Sequence, residues 1–220
     1  MSSILITGAG RGIGAALAAV LEERGHDVIR GVRKPGSTGA GKQIALDVSD
    51  RASIERAAAA LEGQKLDIVI NNAGIFGYRG AGLGHIDDAV WHDVMTTNVM
   101  GAYRVAEAFL PHLRAGSERK LVTITSRMGS MGANTTGGEY IYRSSKAAVN
   151  AVMRSLAMDL APEGFIVTLL HPGWVQTDMG GPGAAIDTAT SATGLADVIL
   201  GASHAQSGGF FNYDGTPLVW

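Results

Sequence analysis

Strand-like runs that are apolar along their whole length alternate with helical stretches through this chain, and that alternation constrains the fold more than any other feature. The runs are SILIT at 3–7, DVIRGV at 27–32, QIALDV at 43–48, DIVIN at 67–71, KLVTIT at 120–125, FIVTLLH at 165–171 and GFFNY at 209–213. Helical patterns lie between them, over 13–24, 51–62, most of 88–113, about 140–160 and 195–202. A strand that is apolar on both faces leaves neither face for water, so helices must cover both sides of its sheet and its strands run parallel. Right-handed crossovers then wind the chain into an α/β fold. The expectation is a doubly wound parallel sheet of about seven strands, helices on both faces, and a ligand site at the C-terminal strand ends. A chain of 220 residues fits one domain with a full core.

Composition excludes several function classes. Eighteen Lys and Arg against twenty Asp and Glu give a net charge of −2, so there is no electrostatic footprint for nucleic acid. The absence of cysteine removes a disulfide framework, a Cys-based zinc site and a thiol nucleophile, and it fits a reducing compartment. His85, His92 and His112 show no metal-ligand spacing with carboxylates, so no metal is expected. No apolar run is long enough to span a membrane. The N-terminus enters a strand at once, with no charged segment ahead of it, which argues against a signal peptide and for a cytoplasmic location.

Three motifs sit at expected strand ends. TGAGRGIG at 7–14 joins the first strand to the first helix, with glycines that let backbone N–H groups approach a pyrophosphate. Read alone, it also fits a flexible turn. At the end of the second strand, where an acid would bind a ribose diol, Val32 is followed by Arg33 and Lys34. These bases suit a 2′-phosphate, or simply a solvated loop. Tyr142 and Lys146 lie four apart on one helix face, where a phenol and an ammonium perturb each other. A surface Tyr with a solvated Lys gives the same pattern.

Taken in order along nearly the whole chain, these residues resemble the short-chain dehydrogenases/reductases. The matching positions are Thr7-Gly8-x-x-x-Gly12-x-Gly14, Asp47, NNAG at 71–74, Asn98, Ser126, Tyr142-x-x-x-Lys146 and PGWVQT at 172–177. ITSRMGS, HPGWVQTDMGGP and the tail FFNYDGTPLVW resemble the C-factor/sniffer-like carbonyl reductase group. The resemblance implies a single Rossmann-like domain over 1–220, with 1–115 mainly binding a dinucleotide and 116–220 carrying catalysis and substrate. It implies Tyr142 as acid/base, with Lys146 lowering its pKa and binding the nicotinamide ribose. Ser126 would orient the substrate oxygen and Asn98 would hold a water behind Lys146. Cofactor contacts would come from Gly8, Arg11, Gly12, Ile13, Gly14, Arg33, Asp47, Val48, Asn72, Ala73, Gly74, Tyr142, Lys146, Pro172, Gly173, Val175 and Thr177.

The expected activity is hydride transfer between NADP(H) and a carbonyl or secondary alcohol. NADP(H) is favoured over NAD(H) because Arg33 and Arg11 bracket the place of the 2′-phosphate. The rival is a dinucleotide-binding signalling protein with little turnover. Ser126 precedes Tyr142 by three residues more than the family's usual spacing, which implies an insertion in MGANTTGGEYI. Ser130 and Tyr140 are therefore rivals for the serine and tyrosine roles. Only Tyr142 has a lysine four residues on, and Tyr140 reads as pocket wall with Met128, Met131, Trp174 and Met179. His171 reads as structural. The Ala- and Val-rich helices over 88–113 and 140–160 suggest a homodimer.

Overall fold

A computed structural model describes residues 1–36, 41–80 and 82–220. Seven strands form one sheet in which every neighbour pair is parallel. They are β1 (Ser3–Thr7), β2 (Asp27–Val32), β3 (Lys42–Ala45), β4 (Ile68–Asn71), β5 (Lys120–Ile124), β6 (Ile166–His171) and β7 (Phe210–Asn212). Their spatial order is β3-β2-β1-β4-β5-β6-β7. The winding direction reverses between β1 and β4, so the chain leaves these two neighbours toward opposite edges and opens a crevice above them.

Alternation along each strand divides the core in two. On β1, Leu5 faces one layer while Ile4 and Ile6 face the other. On β4, Val69 opposes Ile68 and Ile70, and on β5, Leu121 opposes Val122 and Ile124. The first layer is filled by α2 (Arg51–Ala60), α4 (Ala102–Ala115) and α5 (Tyr140–Leu160); the second by α1 (Gly12–Glu23) and α6 (Thr188–Gly201). The short α3 (Asp88–Met95) stands outside and packs Val94 against Ile141 of α5.

Three elements depart from their expected bounds by more than one or two residues, or in their continuity. The strand expected over 43–48 ends at Ala45, although Leu46 and Val48 stay buried. The single helix expected over 88–113 is α3 and α4 joined by a π-helical turn over Thr96–Gly101. The helix expected over 195–202 begins at Thr188, because Asp187 caps it by accepting from the Thr190 N–H at 2.7 Å. Its Thr- and Ser-rich first turns are weak helix formers, which hid that start from a reading by propensity.

Phe109 of α4 is fully buried in the first layer. Phe109→Ala should cost about 3–5 kcal/mol, the usual range for emptying such a site. Urea unfolding measures it, and a loss below about 1 kcal/mol would show that this layer is not closely packed.

Candidate active site

The turn from β1 into α1 is shaped to leave no room for side chains. Gly8 and Gly12 have φ of 66° and 56°, in the left-handed region that favours glycine. A Cβ on Gly14 would lie 2.4 Å from the Asn72 Nδ2 and 2.5 Å from the Gly8 carbonyl oxygen. The unpaired N–H groups of the first turn of α1 open onto this turn. A bare backbone cradle at a helix N-terminus, beside the sheet's point of reversal, fits a dinucleotide phosphate.

Thr7 fastens this turn to the loop after β4. Its Oγ1 accepts from the N–H groups of Asn72 at 3.0 Å and Ala73 at 3.1 Å. The Asn72 amide returns bonds to the carbonyls of Thr7 at 2.9 Å and Gly8 at 3.2 Å. Thr177 lies over the same turn, since a Cβ on Gly12 would come 3.6 Å from its Cγ2. Arg11, expected at a 2′-phosphate, forms an exposed ion pair with Asp178 instead. Arg33 is exposed beyond β2.

The other expected cofactor residues are held locally. The Asp47 carboxylate accepts from the N–H and hydroxyl of Ser49 at 3.0 and 2.7 Å. Val48 is buried, with its carbonyl where a Cβ on Gly101 would lie 2.6 Å away. Ile13 packs on the second core layer. The Pro172 carbonyl accepts from Ser191, Gly173 has a φ of 87°, and Val175 is bridged to Ile186.

The π-helical turn projects Asn98 into the space between the β4 loop and α5. Its amide donates to the Ile75 carbonyl at 2.9 Å and the Ser145 hydroxyl at 3.0 Å, and its Oδ1 accepts from the Ile75 N–H at 2.8 Å. Ser145 in turn donates to the Tyr142 carbonyl at 2.8 Å. Both amide donors of Asn98 are thereby used. Its side chain braces the β4 loop and α5 against each other. Ser145 was not found from the sequence, where one more hydroxyl in a helix carries no signal.

Ser126 lies two residues past the end of β5, in extended conformation, and its Oγ accepts from the Met128 N–H at 3.1 Å. A Cβ on Gly129 would lie 2.7 Å from the Lys146 backbone, so the following turn is pressed onto α5. Ser130 points elsewhere and donates to the Trp220 carbonyl at 3.0 Å. Tyr140 is half-exposed at the start of α5.

Tyr142 is 8 % exposed, with its ring stacked on Phe76 at 4.4 Å. Its hydroxyl lies 4.0 Å from the Met179 thioether. Arg79 sits over the other face of this pair, 5.2 Å from the Phe76 centroid, and donates to the Met179 carbonyl at 2.6 Å. Phe76 and Arg79 escaped the sequence reading, although they stand two and five residues after NNAG. Of the expected pocket walls, Met179 reaches the phenol, whereas Met131 and Trp174 are largely exposed.

Burial governs the titration of these groups. It pushes the Tyr142 phenol up to about 12, and the facing Ser126 hydroxyl only partly offsets it. Lys146, 5 % exposed, is pushed down to about 8. The expected lowering of the phenol by Lys146 is absent from this arrangement. The ammonium lies over the ring, 5.7 Å from its centroid, and donates to the Ile124 carbonyl at 3.1 Å. His171 falls to about 4 through burial, then through Arg127 and Lys146, so it is neutral. No group of His, Asp and Glu among the described residues could hold a metal ion, and no described helix is long and apolar enough to cross a membrane.

Comparison with known proteins agrees with this fold. A family model described as short chain dehydrogenase matches residues 2–185. C-signal of Myxococcus xanthus is 51% identical over 155 residues, covering 70% of this chain and 93% of that protein. The carbonyl reductase Sniffer of D. melanogaster superposes with a TM-score of 0.94 at 33% identity, over the whole of both chains. An NADPH-bound carbonyl reductase from chicken fatty liver gives 0.91 at 31% identity, covering 100% of this chain and 99% of that one.

The depressed pKa of Lys146 has a consequence for stability. An unfolded chain holds this proton up to about 10.5, the folded one only to about 8, so burying the ammonium costs stability fully below pH 8. That cost is relieved as the pH rises through the interval. Lys146→Met should therefore stabilise the fold at pH 7 by on the order of 1–3 kcal/mol. The gain should shrink between pH 8 and 10.5. Denaturant unfolding across this range tests it, and a wild type that is the more stable at every pH would refute it.

Proposed function

The chain belongs to the short-chain dehydrogenase/reductase family, and from that premise we propose that it is an NADPH-dependent carbonyl reductase with Tyr142 as its proton donor. The observation that carries this reading is the buried Tyr142 facing Ser126, one helical turn from Lys146, at the strand ends next to the glycine turn. Solved relatives support the coenzyme, since a carbonyl reductase from chicken and a short-chain dehydrogenase/reductase from Burkholderia multivorans carry NADPH and NADP.

When bound, the coenzyme supplies the hydride that goes to the carbonyl carbon. The chain's own part is to hold the carbonyl oxygen between the hydroxyls of Ser126 and Tyr142 and to release one proton to it. Burial keeps the phenol protonated through neutral pH, which is the form that reduction needs. Ser126 donates a hydrogen bond toward charge growing on that oxygen. Lys146 keeps its proton at neutral pH, and its ammonium lies over the phenol ring. Asn98 and Ser145 fix the height of α5, and Phe76 fixes the plane of the phenol.

A second reading, a dinucleotide-binding signalling protein with little turnover, is favoured by the likeness to C-signal. Coenzyme oxidation with a panel of ketones, aldehydes and quinones separates the two. Tyr142→Phe should lower kcat by about 10²- to 10⁴-fold, the usual contribution of a positioned acid, while leaving NADPH affinity within a few fold. Tyr140→Phe should change little. Reduction by the wild type should fall as the pH rises past about 8, where Lys146 loses its charge. Activity kept in Tyr142→Phe but lost in Tyr140→Phe would overturn the assignment.

Arg33 should carry the coenzyme preference, because Arg11 is already paired with Asp178. Arg33→Ala should weaken NADPH by about ten- to a hundredfold, as for a lost hydrogen bond to a charged group, with NADH affinity unchanged. Fluorescence titration of both reduced coenzymes measures this. Equal or tighter binding of NADH by the wild type would refute it.

A further inference from the structure

A second cleft opens past the C-terminal ends of β5, β6 and β7, where Arg127 follows Ser126. Its volume is about 360 Å³, within the range of small-molecule sites. Trp174, Ile186, Tyr213 and Leu218 give it an apolar and aromatic wall, and Arg127, His171 and Asn212 supply polar groups. None of its lining residues is acidic.

Arg127 follows Ser126 directly, so its backbone lies about 3.8 Å from that of the residue facing the phenol. The side chain is exposed and forms no ion pair among the described residues. His171 ends β6 next to the Pro172-Gly173 step, and its Nδ1 is buried without a hydrogen-bond partner. Two acids directly follow lining residues in the chain: Asp187 accepts from the Thr190 N–H at 2.7 Å, and Asp214 is engaged by Thr216 through bonds of 2.6 and 3.0 Å. A guanidinium without an ion pair, lining the same cleft as an apolar and aromatic wall and one residue from Ser126, suits a planar anion on an apolar body.

We propose that this cleft is a substrate subsite in which Arg127 binds a carboxylate, so that the preferred carbonyl compounds are oxo acids with an apolar or aromatic spacer. The inference rests on the carbonyl-reductase reading above, and the subsite deepens it by giving the substrate its charge. A carbonyl held at Ser126 and Tyr142 leaves the rest of the molecule to run along the turn over Arg127–Gly129 into the cleft.

The test compares 4-formylbenzoate with its methyl ester, which carry the same aldehyde with and without the charge, as substrates with NADPH. The wild type should turn over the carboxylate with a kcat/KM about tenfold or more above that of the ester, the discrimination of one charge-assisted contact. Arg127→Ala should raise KM for the carboxylate about ten- to a hundredfold, leaving its kcat and both constants for the ester nearly unchanged. Arg127→Lys should recover part of the loss, since an ammonium keeps the charge but not the fork. No advantage for the carboxylate in the wild type, or equal losses for both compounds in Arg127→Ala, would overturn the subsite.

A separate readout needs no turnover. Trp174 lines the cleft, so 4-formylbenzoate should quench wild-type tryptophan emission in a saturable way, with weaker binding to Arg127→Ala. Binding of this kind without reduction of either compound would sink the reductase reading and leave the subsite standing. Equal binding of acid and ester to both proteins would sink the subsite.

Discussion

One hydroxyl, that of Thr7, joins the two halves of this molecule. The strands β1 and β4 are neighbours, yet the chain leaves them toward opposite edges of the sheet. Nothing in a parallel ladder binds their outgoing loops to each other, because ladder bonds stop where the strands stop. Thr7 closes that gap by accepting from two successive N–H groups of the β4 loop, and the Asn72 amide answers with two bonds in the other direction. The glycine turn and the loop leading to Gly74, Asn98 and Lys146 therefore form one rigid piece. Whatever binds at the turn is held at a fixed distance from α5.

The second constraint is dryness. Tyr142 and Lys146 are both nearly sealed from water, and burial moves their pKa values in opposite senses, each toward its neutral form. Phenol and ammonium hold their protons almost equally in water, at 10.0 and 10.5, and burial drives them apart to about 12 and about 8. The widened gap keeps the proton on the phenol and makes its passage to a neutral Lys146 more costly. The closing elements are contributed by loops far apart in sequence: Phe76 and Arg79 from one, Met179 from the other.

The order of elements and the parallel sheet were legible in the sequence because strand burial on both faces leaves a continuous apolar run, as in Ile68–Asn71 and Ile166–His171. Glycines forced by close approach, such as Gly14, were also legible, since no other residue fits. The start of α6 was not, because a single cap at Asp187 outweighs the weak propensity of the residues behind it. Nor were the roles of Phe76, Arg79 and Ser145. Stacking, cation–π contact and a helix-borne hydroxyl depend on what lies across the site, and a residue's own neighbours in the chain do not reveal that. The pairing of Arg11 with Asp178 was hidden for the same reason, their separation along the chain being 167 residues.

The π-helical turn at Thr96–Gly101 makes the site sensitive to counting as well as to chemistry. Such a turn holds one residue more than an α-helical turn, and each residue in a helix advances the side-chain direction by about 100°. The helix α4 beyond it thus meets the sheet at an angle that the residues before it would not have set. Removing one residue anywhere between Asp88 and Gly101 would let the segment relax into a continuous α-helix, which is the lower-energy form of backbone. Either Asn98 or the buried face of α4 would then point the wrong way. This stretch can change letters more freely than it can change length, and a family of such chains would be recognised here by its spacing before its spelling.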